Sequence, residues 1–207
     1  MNLRSFVFAL VLVAAFPLAA LAADKPVAVV SLGELKNQLS SLQGHISTTL
    51  ASLDRLKAAG RDGAALDKAY GDFAERFKAL DGQVETIRRN AVVVKARAKD
   101  HHEHWQTEIS GVQNPKIREK AQERFAEARE EFDKIIATAE ETKQQLVPFL
   151  ADLKDIAIYL EADLSQDAVK SLSNTIWKLG NKSKSVVGSI GDLNEQIERT
   201  IKAMPKA

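Results

Sequence analysis

SLGELKNQLSSLQGHISTTLASLDRLKAAG, residues 31–60, carries a single apolar stripe. Leu32, Leu35, Leu39, Leu42, Ile46, Leu53 and Leu56 step by three and four, with Thr49 filling a seam position and Leu50 beside it. That spacing returns side chains to one face of an α-helix and leaves the opposite face polar. Ser31 and Glu34 have the spacing of a capping box, in which hydroxyl and carboxylate satisfy free amides at a helix start. Gly60 and Gly63 supply a stop. The pattern predicts a first helix over about 31–59.

The same logic extends outward along the chain. Tyr70, Phe77, Val84, Ala91, Ala98 and Trp105 form one seven-residue series, and Phe73, Leu80, Ile87, Val94 and His101 form the other. Two interleaved series of this kind are the seam of a paired helix, here over about 64–111. Asn114 is a good amino-terminal cap and Pro115 suits a first helical turn, so 111–115 reads as a tight hairpin tip. A third helix over about 115–163 carries Phe125, Phe132, Ala139, Leu146, Leu153 and Leu160 against Ala128, Ile135, Thr142, Phe149 and Ile156. Pro148 removes one helical hydrogen bond and crowds the carbonyl of Gln144, which predicts a kink near 144–148 without a change of register. A fourth helix over about 166–204 follows Ser165, with Val169, Leu172, Ile176, Leu179, Val186, Ile190, Leu193, Ile197 and Met204 on its seam. Gly180, Gly188 and Gly191 on that helix read either as points of close approach or as a soft, bending stretch.

These elements predict an all-α fold of long antiparallel helices. The two middle helices reach on the order of 70 Å each and the outer two are shorter. Short connections make neighbours antiparallel, so the expected form is a four-helix base with a projecting two-helix coiled-coil hairpin. An open chain of hairpins that closes on dimerisation fits the same seams. Hydrophobic residues make up 45% and charged residues 28% of the 207, which suits one domain, 31–207, with a real core. Lys and Arg number 29 against 28 Asp and Glu, so no global charge points to nucleic acid. Cysteine is absent, which removes disulfides, thiol nucleophiles, thiolate metal sites and lipid attachment through a leader cysteine.

Residues 1–22 have the order of a secretory signal: a basic start at Arg4, an apolar run from Phe6 to Leu21, and small residues at Ala20 and Ala22. Cleavage is expected after Ala22, leaving residues 23–30 as a short extended leader and placing the protein in the periplasm or outside the cell. The apolar run contains Pro17 and falls short of the roughly 20 residues that span a bilayer.

Several local motifs add a likeness to a known family. Trp105 is followed by Glu108, Asn114 precedes Ile117-Arg118, and Ala128-Arg129 leads to Ile136. Leu146-Val147-Pro148-Phe149-Leu150, then Leu153 to Leu164 and Ala168 to Leu172, complete the set. In these the chain resembles a bacterial envelope family catalogued as domain of unknown function number 2959. The resemblance implies a helical fold and an envelope location, and brings no activity, substrate or functional residue. Members of that family often carry a lipoprotein leader cysteine, which this chain lacks.

One segment carries side chains able to do chemistry: His101-His102-Glu103-His104-Trp105. His101 and His104 lie on nearly one helical face, and Glu123 or Glu127 on the antiparallel third helix could complete a metal site with them. The order is neither that of a zinc protease nor that of a di-iron bundle. The competing reading puts His101 on the seam beside Trp105, with His102 and His104 facing water. Arg88, Arg89, Lys95, Arg97 and Lys99, and Lys170, Lys178, Lys182, Lys184 and Lys202, form basic stretches that could touch anionic envelope components or simply solvate the flanks.

No phosphate loop, dinucleotide fingerprint or nucleophile elbow is present. The sequence therefore points to a non-catalytic, exported helical scaffold or adaptor without a cofactor, acting on a protein partner or on itself. His102, Gln113 and Glu119 are the expected partner surface at the tip. The alternatives are a periplasmic metal-binding or stress protein using His101, His104 and Glu127, and a membrane-surface binder using the basic faces.

Overall fold

A computed structural model describes residues 19–60 and 62–203, with side chains over 31–60 and 62–202. Every regular element among the described residues is helical: α1 Ala19–Ala58, α2 Gly63–Gly111, α3 Pro115–Ala162, α4 Gln166–Ser171 and α5 Ser173–Ala203. The leader expectation falls largely on residues 1–18, outside the described residues. No helix among the described residues is long and apolar enough to cross a membrane.

Helix α1 begins earlier than the capping pattern implies. The alanine-rich stretch from Ala19 to Ala23 has high helix propensity, and the helix runs through 23–30 instead of leaving it extended. Ser31 is then interior, where the non-helical backbone of a cap is impossible, and no Ser31–Glu34 capping box forms. The Ser31 hydroxyl accepts a hydrogen bond from Arg97 on α2 instead. Extending α1 by the twelve residues 19–30 adds about 18 Å toward the end where α2 meets α3, so less of that pair outreaches α1 than the sequence suggests.

The other boundaries follow local chemistry. Asp62 accepts from the Ala65 amide to open α2, and Gly60, at φ 69°, turns the chain out of α1 in a conformation that suits glycine. Helix α3 passes through Pro148 as one helix. The expected fourth helix is two: the Ser165 side chain accepts from the Ala168 amide to start α4, and the chain turns at Leu172 before α5. The Leu172 amide is drawn to both Ala168 and Val169 carbonyls, a tightened last turn that ends α4.

Side-chain hydrogen bonds and ion pairs between helices fix the pairing of neighbours. Gln83 donates to the Gln38 carbonyl and Thr49 to the Arg76 carbonyl, so α1 and α2 are antiparallel. Gln43 donates to the Val187 carbonyl, and Lys36 pairs with Glu198, so α1 and α5 are antiparallel. Thr142 donates to the Ser189 carbonyl and Gln196 to Glu131, which orders α3 against α5. Tyr70 donates to the Ala157 carbonyl across α2 and α3. The four long helices thus adjoin in a ring, α1 to α2 to α3 to α5 and back to α1.

The core is the inside of that ring. Leu42, Ile46, Leu53, Phe73, Leu80, Phe149, Leu153, Ile156, Leu160, Leu179 and Ile190 are almost wholly buried, as the seams require. Ala91 is not: it is exposed although it sits in the α2 seam series. Gly180 and Gly188 are not points of close approach, because a Cβ at either would have nothing within 4 Å, whereas one at Gly191 would stand 3.8 Å from Gln43 Nε2 on α1, an ordinary contact. Buried Thr142 on α3 and Thr49 on α1 bond to backbone across helices, at the Ser189 and Arg76 carbonyls, whereas buried Ser183 and Thr200 bond carbonyls of α5 itself. The bonds across helices satisfy buried hydroxyls and pin one axial register.

Candidate interaction site

At the end of the α2–α3 pair the connection is short and tied down. The Val112 amide donates to the Ile109 carbonyl, the Asn114 side chain accepts from the Lys116 and Ile117 amides, and Pro115 occupies the first turn of α3. Arg118 Nε donates to the Val112 carbonyl at 2.9 Å, closing the turn from the α3 side. The hairpin expected from Gly111, Asn114 and Pro115 forms as read.

Behind the turn, rings hold the helices together. Trp105 meets Phe125 edge-to-face at 5.4 Å, and His102 meets Phe125 and Phe132 edge-to-face at 5.7 and 5.9 Å. His101 packs against Trp105 at 5.9 Å, and Ile109 is buried. Such tilted contacts add to the burial of apolar area. His102 is therefore half-buried against α3, not facing water. Its contacts with Phe125 and Phe132 on α3 bring position 102 inward.

The inward position has an electrostatic consequence. Burial, then the neighbouring His101 and Arg129, hold the His102 imidazole below its usual protonation range, against a smaller opposing pull from Asp133.

The expected metal ligands are not brought together. His104 is exposed and its Nε2 lies 3.3 Å from Glu108 one turn on. Glu123 and Glu127 are exposed on α3. Among the described residues no three His, Asp or Glu groups form a cluster able to hold a metal ion, so His101, His104 and Glu127 do not make a site. The sequence placed these residues on facing helices, but helical phase directs His104 along α2 instead of across to α3.

Of the expected partner residues, Gln113 and Glu119 are exposed and His102 is not freely so. Ile117, which the sequence reading placed in a family motif and not on the partner surface, is 56% exposed on the first turn of α3 between them. An apolar residue two places after Pro115, in a turn otherwise open to solvent, was the signal that could have found it.

Some of the surface charge elsewhere is paired, at intervals along both basic stretches. Arg88 bonds Glu85, Lys182 bonds Asp152, and Lys202 shares Glu198 with Lys36. Asp72 accepts from both Arg55 and Arg76, and these bonds hold its carboxyl below the usual range. Asp72 and Arg76 line a surface groove of about 550 Å³ between α1 and α2 that also includes Ser41, His45 and Glu75. The basic stretches read from sequence are thus interrupted by acidic partners, which weakens them as a continuous anionic-surface contact.

The chain belongs to the family described as protein of unknown function (DUF2959), whose model matches residues 25–204. The match covers α1 as well, which the sequence motifs reached only in pattern. No curated protein and no solved structure matches the chain.

Proposed function

We propose that this chain is an exported, non-catalytic scaffold or adaptor of the cell envelope that engages a protein partner through the end of its α2–α3 pair. The observation that supports this most is the exposed Ile117 on a capped and ring-braced end. A fixed apolar side chain with polar neighbours Gln113 and Glu119 lets a partner bury area without first ordering a loop. Export rests on the basic, apolar and small-residue order of residues 1–22. The non-catalytic reading rests on the lack of a catalytic motif in the sequence together with charged groups tied into ion pairs on the flanks. Photo-crosslinking in the native envelope from probes at Gln113, Ile117 and Glu119, with Asn37 on α1 as control, tests the reading. One dominant protein product from the tip probes alone is expected; equal products from Asn37, or none from the tip, would overturn it.

A further inference from the structure

Helix α3 buries Ile135, Thr142, Phe149, Leu153, Ile156 and Leu160 toward the core, yet carries three exposed aliphatic side chains on its outer face. Ile136, Val147 and Ile158 are 40%, 52% and 54% exposed. They recur at about eleven residues, close to three helical turns, so they form one line along about 33 Å of helix. At 100° per residue each eleven-residue step drifts by only about 20° around the helix, so the three side chains stay within one face. Exposed Glu140, Lys143, Ala151 and Lys154 fall between them on the same face.

The order of this face is symmetric about Val147. Ile136 lies as far before it as Ile158 lies after it, and Glu140 as far before it as Lys154 lies after it. A second α3 laid antiparallel across the first, with both Val147 side chains on the two-fold axis, sets Ile136 against Ile158 and Glu140 against Lys154, each twice. Directly opposed like charges, Asp133 against Glu161, fall only beyond the apolar line, and Lys143 stands opposite Ala151, which confines the contact to 136–158.

We propose that the outer face of α3 between Ile136 and Ile158 is a self-complementary interface that pairs antiparallel with the same face of a second copy of this chain. The argument for a second copy, and not another occupant, is this matching of opposite charges under a two-fold, the property an isologous contact demands. Glu140 bonds Lys143 within the chain, but an exposed pair of this kind is worth little and yields readily to a new partner. A single helix face gives a small contact, so the dimer dissociates on dilution. The proposal is independent of the tip's role.

The chain has no cysteine, so one introduced thiol reports cleanly on the axis. In the mature chain, Val147→Cys is expected to form a disulfide-linked dimer under mild oxidation much faster than Ile117→Cys, since only side chains on a two-fold meet themselves within disulfide reach. Sedimentation should show a concentration-dependent dimer for the parent chain. Glu140→Lys and Lys154→Glu should each weaken it at least about tenfold, and the double reversal should restore it to within about threefold. All four positions are exposed, so the substitutions leave the core intact. A chain that is monomeric at every concentration, a double reversal no better than the singles, or Val147→Cys linking no faster than Ile117→Cys would each overturn the proposal.

Discussion

His102 on α2 stands edge-to-face with Phe125 on α3, ring centres 5.7 Å apart and planes at 82°. An aromatic ring that can gain a proton is thereby built into the contact that holds the tip together, with Phe132 on its other side and His101, Arg129 and Asp133 around it.

The folded tip favours neutral His102, while the unfolded chain takes up a proton near the usual 6.5. The stabilising contribution is therefore complete above that value and is lost as the pH falls below it toward the lower folded value. Protection factors for amide hydrogen exchange at 102–125, which divide out the slowing of intrinsic exchange at lower pH, should fall between pH 7.5 and pH 5.5 in the parent chain. His102→Phe should remove most of that fall, and an unchanged fall in the variant would place its origin elsewhere.

The seam should bear weight in proportion to burial, not to residue size. Phe149 is 0% exposed whereas Phe132 is half-buried at the α2–α3 contact. Phe149→Ala should cost about 3–5 kcal/mol in urea denaturation, and Leu80→Ala about 2–5 kcal/mol. Phe132→Ala should cost clearly less than Phe149→Ala, and the reverse order would contradict the packing.

Glycines separate backbone need from mere presence. Gly188 is helical with open space where a Cβ would go, so Gly188→Ala should stabilise by roughly 0.5–1 kcal/mol. Gly60 has φ 69°, so Gly60→Ala should destabilise. Paired thermal melts of the two variants read the sign directly.

Lys202 and Lys36 hold the Glu198 carboxyl down to about 2. Whatever it contributes to stability is present above its ordinary value of 4.5 and lost as the pH falls from there toward about 2. The exposed pair is also screened, so Glu198→Gln should flatten acid unfolding at low salt and do little in 0.5 M salt.

Much of the architecture was legible because the seams keep phase. Leu32 to Leu56 and Phe73 to Val94 are buried where their spacing puts them, and Asn114 with Pro115 marks the turn to the residue. The start of α1 was misread because a good cap sequence at Ser31 cannot show that helix-favouring alanines already precede it. The break at Leu172 was hidden because the apolar spacing from Val169 to Ile176 continues across it. His102 was assigned to solvent because a heptad register assumes one inward direction along the whole helix, whereas His102, beside the seam position His101, packs on Phe125 and Phe132 of α3. The metal trio failed for a related reason: spacing along α2 brought His101 and His104 near one another in phase but could not say where Glu127 would point. Ala91 shows the remaining gap, since a small seam residue can mark tight packing or an open stretch with equal economy.

The account depends on α2 and α3 staying paired beyond the base up to their connecting turn. Spin labels on Glu103→Cys and Glu127→Cys in the cysteine-free chain test it by pulsed dipolar spectroscopy on samples diluted with unlabelled protein. Helices packed at about 8–10 Å give one short, narrow distance distribution. A broad or long distribution would mean that the tip is not a braced surface and would contradict the account.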